Sequence, residues 1–345
     1  MLSMRWATAA VLVAAAFALA GPASAQSPEH TPGGPCIEDD QNVSLSSVPS
    51  YEEMGRQLRS IESSSRGAVR VASAGLSGEG RELYYATVGH GPDVFWLQSR
   101  IHGNELHNTE AVLQILKYLG SSGSAEAQRI RDALTVVVIP MYNPDGATAN
   151  IRQSTTPFRI DLNRDWENFQ QPESRAFYDL WEELRPRLAL DLHHFGQASV
   201  VEGTDKLNAF QIGARSIDPS RMTAEQWLTN RQMAMISVDA VDRLGTAHVA
   251  RYPLIDITNA VLSRMLMGGP GYDGSDPGFM TQGAIFYEVR SVGQKSGGFL
   301  EQLFIRPSMA VLNAAADGSL YAHPGTGWDQ LPFGDGVSCG GGPDF

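Results

Sequence analysis

Four short apolar runs, separated by helical patterns, constrain this chain's fold more than any other feature. They are Val94–Ser99, Thr135–Met141, Leu188–His193 and Ala284–Val289. A strand buried on both faces reads as a continuous apolar run rather than an alternating one. Between the first two, Val112, Leu113, Ile115, Leu116 and Leu119 recur at helical spacing, which predicts a helix over roughly 106–120. Before the third, Phe177, Leu180, Trp181 and Leu184 share one face of a helix over 172–184. Strands alternating with helices predict an α/β fold with a largely parallel sheet covered by helices on both faces. Upstream, Ser50 with Glu53 three residues on signals an N-capped helix to about Ser63. Residues 68–74 and 82–88 read as two strands around Gly78-Glu79-Gly80.

The ends of the chain differ from this centre. Residues 1–25 read as a secretory signal peptide: Arg5, an apolar run from Ala7 to Ala20, a break at Gly21-Pro22, then Ala23-Ser24-Ala25 as the cleavage site. A membrane anchor is the rival, but the run is short and Ala-rich, and no positive cluster follows it. Residues 26–47 form an irregular lead-in, 48–317 the expected catalytic domain, and 318–345 a Gly-rich surface tail. The formal net charge of −12 disfavours nucleic acid and anionic membrane as partners. Cys36 and Cys339 are an even pair, which in an exported chain predicts a disulfide joining the two tails. A loop that long constrains the unfolded chain by about 4–5 kcal/mol in the entropy model. The rival is two free thiols.

In open α/β sheets, sites form outside the carboxyl ends of strands. His102-Gly103-Asn104-Glu105 follows the first apolar run, Asn143-Pro144-Asp145-Gly146 the second, and Asp191-Leu192-His193 closes the third. Glu288 lies near the end of the fourth. Positions far apart in sequence are thereby expected on one edge. Two imidazoles and one carboxylate form the ligand set of a zinc site that keeps a position open for water. H-x-x-E occurs twice, at His102/Glu105 and His107/Glu110. The second lies inside the predicted helix and reads as a solvated helical pair. His193 and His194 point to opposite faces of a strand, so only one of them can enter the site.

These motifs, with Asp161-Leu162-Asn163-Arg164 and Tyr287-Glu288-Val289-Arg290, resemble the M14 family of zinc carboxypeptidases (carboxypeptidase A-like) in identity and order over roughly 50–316. The resemblance implies a three-layer α/β/α sandwich around a mixed, mainly parallel eight-stranded sheet, and one zinc ion per chain. His102, Glu105 and His193 match the metal ligands, with His107, Glu110 and His194 as bystanders. Asp161 matches the acid that orients the first histidine, as a carboxylate behind a ligand does. Asn163 and Arg164 match the pair that holds a peptide's terminal carboxylate, for which a planar guanidinium is suited. An ion pair of Arg164 with Asp165 or Glu167 is the plain alternative. Glu288 matches the general base and acid of peptide hydrolysis, against a same-face ion pair with Arg290. For the oxyanion stabiliser, Arg152 is the first candidate and Arg159 competes. For the substrate-capping tyrosine, Tyr272 in the Gly-rich stretch 268–274 is the candidate, and Asp273 and Asp276 lie where the side-chain pocket is shaped.

The resulting expectation is an exported, periplasmic or secreted zinc metallopeptidase that removes C-terminal residues from peptides with a free C-terminus. Three rivals remain beside it. An aspartoacylase-like amidase or deacylase shares the HGNE and DLNR patterns, and a peptidoglycan stem-peptide carboxypeptidase is a narrower version of the same chemistry. A serine hydrolase would use Gly336-Val337-Ser338-Cys339-Gly340, but that motif needs a strand-to-helix elbow rather than a Gly-rich tail. A binding module with a dead site would have lost a ligand or the catalytic acid, and none is lost.

Overall fold

The structure, a computed structural model, describes residues 48–195, 199–204, 206, 208–214, 221–245, 247–253, 259–269, 278–290 and 297–336. The signal segment, the lead-in, Cys36, Cys339, Tyr272, Asp273, Asp276 and the serine of the G-x-S-x-G stretch lie outside the described residues.

The first half of the chain contains α1 (Tyr51–Ser64), β1 (Val69–Leu76), β2 (Glu82–Val88), β3 (Asp93–Ser99), α2 (His107–Ser121), α3 (Ala125–Ala133), β4 (Leu134–Ile139), α4 (Pro144–Ala149) and α5 (Pro172–Leu184), with a 3₁₀ turn at Leu162–Glu167. The second half contains β5 (Leu188–Phe195), β6 (Ser199–Val201), β7 (Asn208–Gly213), α6 (Ala224–Asp242), β8 (His248–Arg251), α7 (Val261–Met267), β9 (Gly283–Arg290), α8 (Gly297–Asp317), α9 (Ser319–Ala322) and β10 (Gly334–Gly336). Ser50 caps α1 by accepting from the Glu53 amide, the bond expected from the sequence. Thr223 and Gln226 close a reciprocal capping box on α6.

Among the described residues the main sheet has eight strands in the order β1-β2-β4-β3-β5-β9-β7-β8. Its centre, β4-β3-β5-β9, is parallel. The antiparallel pairs are β1 with β2, β2 with β4, and β7 with β9. One face packs on α1, α2, α3, α6 and α8 through residues such as Leu58, Leu116, Ile130, Met233 and Leu303. The other packs on α5, α7 and the 3₁₀ turn through Trp166, Phe177, Trp181, Leu262 and Met265. This is the three-layer α/β/α sandwich around a mixed eight-stranded sheet that the family resemblance implies.

The carboxyl-terminal stretch departs from expectation. Residues 318–336, read above as surface tail, pack onto the domain. Trp328 is buried in the core, the Arg251 amide donates to the Pro332 carbonyl at 2.7 Å, and β10 pairs antiparallel with β6. Its Gly and Pro content signalled turns but concealed a single large anchor, since one tryptophan can bury as much apolar area as several small residues.

Two buried acids tie the outer strands to α4 and α5. Asp145 accepts from Ser77 Oγ at 2.7 Å, the Glu79 amide at 2.8 Å and Arg81 Nη1 at 2.7 Å. Glu173 accepts from the Gly78 amide at 3.2 Å through Oε1, while Oε2 is buried with no partner among the described residues. Burial, reinforced by the charges of Asp145 and Asp165, pushes the Glu173 carboxyl up to about 7. The native protein therefore holds a proton that the unfolded chain releases near its ordinary value of 4.5, and stability falls as pH rises through that window. Glu173→Gln keeps the acceptor and removes the charge. It is expected to be more stable than the parent by about 1–3 kcal/mol at pH 8 and to show no gain at pH 4, measured by denaturant unfolding.

Candidate metal centre

The site is built where β3, β5 and β9 end together. Beyond β3 the chain turns at Arg100, whose backbone is left-handed with φ 56°. The buried Arg100 guanidinium fastens that turn by donating to the Gly103 carbonyl at 3.0 Å. His102 and Glu105 are thereby carried on a tight turn ahead of α2, with the Glu105 amide donating to the His102 carbonyl at 3.2 Å. Gly103 is required here because a Cβ would lie 2.1 Å from the carbonyl carbon of Gly146. The NPDG stretch is therefore the bed on which the HGNE turn lies. Asn143 caps α4 by accepting from the Gly146 amide at 2.8 Å, and its Nδ2 donates to the Arg152 carbonyl at 3.3 Å. The Gly103 amide donates to the same carbonyl at 3.2 Å, which fixes the Arg152 backbone beside the site.

Strand register sets the remaining residues. In the β5–β9 pair, His193 lies beside Glu288. Alternation places Asp191 on the same face as His193 and turns His194 away. His194 packs on the helical side, its Nε2 accepting from the His107 amide at 3.1 Å and its ring edge-on to Phe304. Burial pushes its pKa down to about 3, so it serves there as a neutral acceptor. Glu110 meets Gln57 on the flank of α2 at 3.4 Å. His107, Glu110 and His194 thus all lie apart from the cluster.

His102, Glu105 and His193 converge, with one ligand atom from each within 4.8 Å of the others, and all three are buried. His102 Nδ1 lies 2.6 Å from Glu105 Oε1, 3.1 Å from His193 Nδ1, and His193 Nδ1 lies 3.2 Å from Glu105 Oε2. The outer nitrogens are both engaged: His102 Nε2 is 3.2 Å from Asp161 Oδ1, and His193 Nε2 is 2.7 Å from Asp191 Oδ2. A proton on each Nε2 donates to its carboxylate and leaves both Nδ1 lone pairs facing inward. Two bare imidazole nitrogens and a carboxylate at such range repel unless a positive charge lies between them. Zinc with bonds of about 2.0–2.1 Å in tetrahedral geometry places its nitrogen ligands about 3.3 Å apart. The donor set and its spacing fit a zinc ion. Burial alone would raise the Asp161 and Glu105 carboxyls, but protonated imidazoles outweigh it when no metal lies between them, His102 at Asp161 and His102 with His193 at Glu105, holding both well below the usual range.

One cleft opens from this cluster. It is lined by His102, Asp191, His193 and Glu288 and also by Arg152, Asn163 and Arg164. Arg152 donates to Asp161 Oδ2 at 3.0 Å and stands 3.9 Å from Glu105 Oε1. Arg159, its competitor in the sequence, is exposed and does not line the cleft. Asn163 Oδ1 accepts from the Val261 amide at 3.0 Å. Arg164 donates to the Asn163 carbonyl at 2.9 Å. Neither expected acid pairs with it, because Asp165 accepts from the Gln170 and Gln171 amides and Glu167 from Asn259. Burial pushes the Glu288 carboxyl up to about 7, opposed by His193 and reinforced by Glu105. Arg290 is not among the charges that weigh most on it.

Three features of the cleft escaped the sequence. Asp191 backs His193, and its position two residues earlier on one strand was the available signal. Tyr252 lines the cleft with its ring edge-on to Phe286 at 5.0 Å. Burial and Glu288 push its pKa up. The third is the wall supplied by Trp328, Asp329 and Phe333. Nothing local in the sequence marks Tyr252 or this wall, because both arrive through the sheet edge.

A buried His-Glu-His cluster at the carboxyl edge of a mixed α/β sheet defines a metallohydrolase-type centre. Residues 54–252 match the family model described as zinc carboxypeptidase, and the chain belongs to that family. Its sequence is 32% identical over 100 residues to carboxypeptidase 2 of Trichophyton rubrum, a match covering 29% of this chain and 18% of that protein. It is 29% identical over 149 residues to the human carboxypeptidase N catalytic chain, covering 37% and 32%. The chain spans about a third or less of the length of the curated relatives it matches. The fold resembles that of a metallo-carboxypeptidase from Burkholderia cenocepacia, with a TM-score of 0.59 and 17% identity, covering 78% of this chain and 69% of that one. It also resembles carboxypeptidase A from Helicoverpa armigera, with a TM-score of 0.57 and 17% identity, covering 84% and 76%.

Removal of an outer carboxylate loosens a metal-ligating histidine. Asp191→Asn is expected to weaken zinc binding by about 10–100-fold, read by competition with a chromogenic chelator. His193→Ala should abolish it and His194→Ala should leave it unchanged.

Proposed function

We propose that this protein is a zinc-dependent exopeptidase that releases the C-terminal residue of a peptide. One observation carries the proposal: a single cleft is lined by His102 and His193 of the metal cluster, by Glu288 and by Arg164. A metal cluster alone fits many hydrolases. An arginine that no acidic side chain claims among the described residues adds a receptor for an anionic chain end.

His102, Glu105 and His193 hold the zinc, which when bound supplies Lewis-acid polarisation of a carbonyl and lowers the pKa of water. Asp161 and Asp191 fix the two imidazole tautomers. Arg164 and Asn163 receive the terminal carboxylate and so set which peptide bond lies over the cluster. Glu288 takes a proton from the attacking water and delivers it to the leaving amine. Its buried position raises its basicity toward that task. Arg152, already close to the cluster, stabilises negative charge developing on the carbonyl oxygen. Tyr252, which lines the same cleft as Glu288 and Arg164, is a second aromatic hydroxyl offered to the substrate beside the candidate Tyr272, which lies outside the described residues. The signal-peptide pattern read in residues 1–25 supports an activity outside the cytoplasm. No helix of the described residues is long and apolar enough to cross a membrane.

Turnover of peptides with free and with amidated C-termini tests the reading. The free acid should be strongly preferred, and equal rates would refute it in favour of an amidase or deacylase. Glu288→Gln should retain zinc and lose about 10²–10⁴-fold in kcat. Because the base must be ionised, kcat/KM should fall as pH drops through a midpoint at or below about 7. A nearby dication moves that midpoint down, not up.

A further inference from the structure

We propose that Arg251 makes this cleft selective for a C-terminal residue with a side-chain carboxylate. The inference rests on the carboxypeptidase reading and specifies its substrate class.

Arg251 closes β8 and lines the same cleft as His193 and Glu288. Its guanidinium carbon lies 3.9 Å from the centroid of the Phe333 ring and 5.9 Å from that of Trp328. Its amide is bonded to the Pro332 carbonyl at 2.7 Å. The charged plane is therefore held in one orientation before any ligand arrives, which spares the ordering cost that a long side chain normally adds to binding. Stacking leaves the in-plane N–H groups available. Among the described residues no carboxylate lies within ion-pair range of Arg251, and its Nε is buried without a hydrogen-bond partner. No described side chain compensates the guanidinium charge, and a carboxylate entering the cleft would supply that partner.

The route from the metal cluster to Arg251 suits a short aliphatic stem. Phe286 lies edge-on to His193 at 6.1 Å and to Tyr252 at 5.0 Å. Its ring fills the space where Gly213 lacks a side chain, since a Cβ there would lie 2.1 Å from the ring. Ala260 and Leu262 continue the apolar lining. Charge attraction is stronger between such walls than in water. The three acids lining the cleft do not reverse the preference: Asp191 is engaged by His193, Glu288 lies beside His193 at the metal cluster, and Asp329 is exposed at the wall, where water and salt weaken its field. A lysine or arginine side chain entering the cleft would meet a fixed like charge.

The test uses zinc-loaded protein and blocked peptides that differ only in a C-terminal Glu, Gln, Leu or Lys. Glu and Gln share shape, so their ratio isolates the charge. The expected result is kcat/KM for Glu at least about tenfold above Gln and further above Lys. Arg251→Gln should erase the Glu-over-Gln ratio while leaving Gln and Leu within about twofold of the parent, and Arg251→Lys should still favour Glu over Lys. A parent enzyme that prefers Lys, or treats Glu and Gln alike, overturns the proposal without recourse to any variant. Equal loss on all four peptides in Arg251→Gln also overturns it, and assigns Arg251 to clamping residues 328–333. Release of no residue from any peptide refutes the carboxypeptidase reading itself, and this inference with it.

Discussion

Everything at the site depends on two parallel strands ending side by side. The β5–β9 register sets His193 against Glu288 and Asp191 against Phe286. One strand thus presents a metal-type ligand with its supporting acid, and the other presents the proposed proton carrier over an aromatic floor. A slip of one residue would turn His194 inward and bury His193 against α8. The apolar runs on both sides of these residues make that slip costly, because every buried side chain would change face with them. The core that stabilises the sheet therefore also specifies the chemistry at its edge.

Around this pair, backbone contacts do work that charge alone could not. Gly103 packs directly on Gly146, so the turn bearing His102 and Glu105 rests against α4. The Arg152 carbonyl receives both the Gly103 amide and Asn143 Nδ2, which couples the candidate oxyanion arginine to the same unit. On the other side, Trp166 seats the 3₁₀ turn that carries Asn163 and Arg164. Its Nε1 donates to the Tyr142 hydroxyl at 2.9 Å, and its ring packs on Trp181. Preorganisation of this kind favours catalysis because the polar groups need not reorganise when charge develops.

How much was legible follows from the range of the signals. The four apolar runs predict the central strands to within a residue or two, since burial on both faces is written locally in each run. His102, Glu105, His193 and Glu288 are legible as candidates because each falls at or shortly after the end of such a run. Asp161, Asn163 and Arg164 came from motif resemblance, as nothing in their own neighbourhood marks them. The short strands β7 and β8 and the helix α6 were not predicted. β8 has four residues, and α6 is flanked by neighbours on several sides, so its apolar residues form no clean stripe. Tyr252, Arg251 and Trp328 become neighbours of the site only through the pairing of β7 with β8 and β9. Such contacts are set by topology rather than by adjacent residues, and no window along the chain contains them.

The arginines of the cleft also stand in contrast to the molecule that carries them. Arg152, Arg164 and Arg251 line one opening in a chain whose formal net charge is −12. An acidic peptide approaching from afar is repelled by the whole body and is attracted only once it is within a few ångströms of the opening. Added salt screens the distant field first, over a length of about 10 Å at 0.1 M, while the enclosed arginines keep most of their pull. Moderate ionic strength should therefore speed the capture of anionic ligands, the reverse of the trend for enzymes that steer substrates by a field of opposite sign.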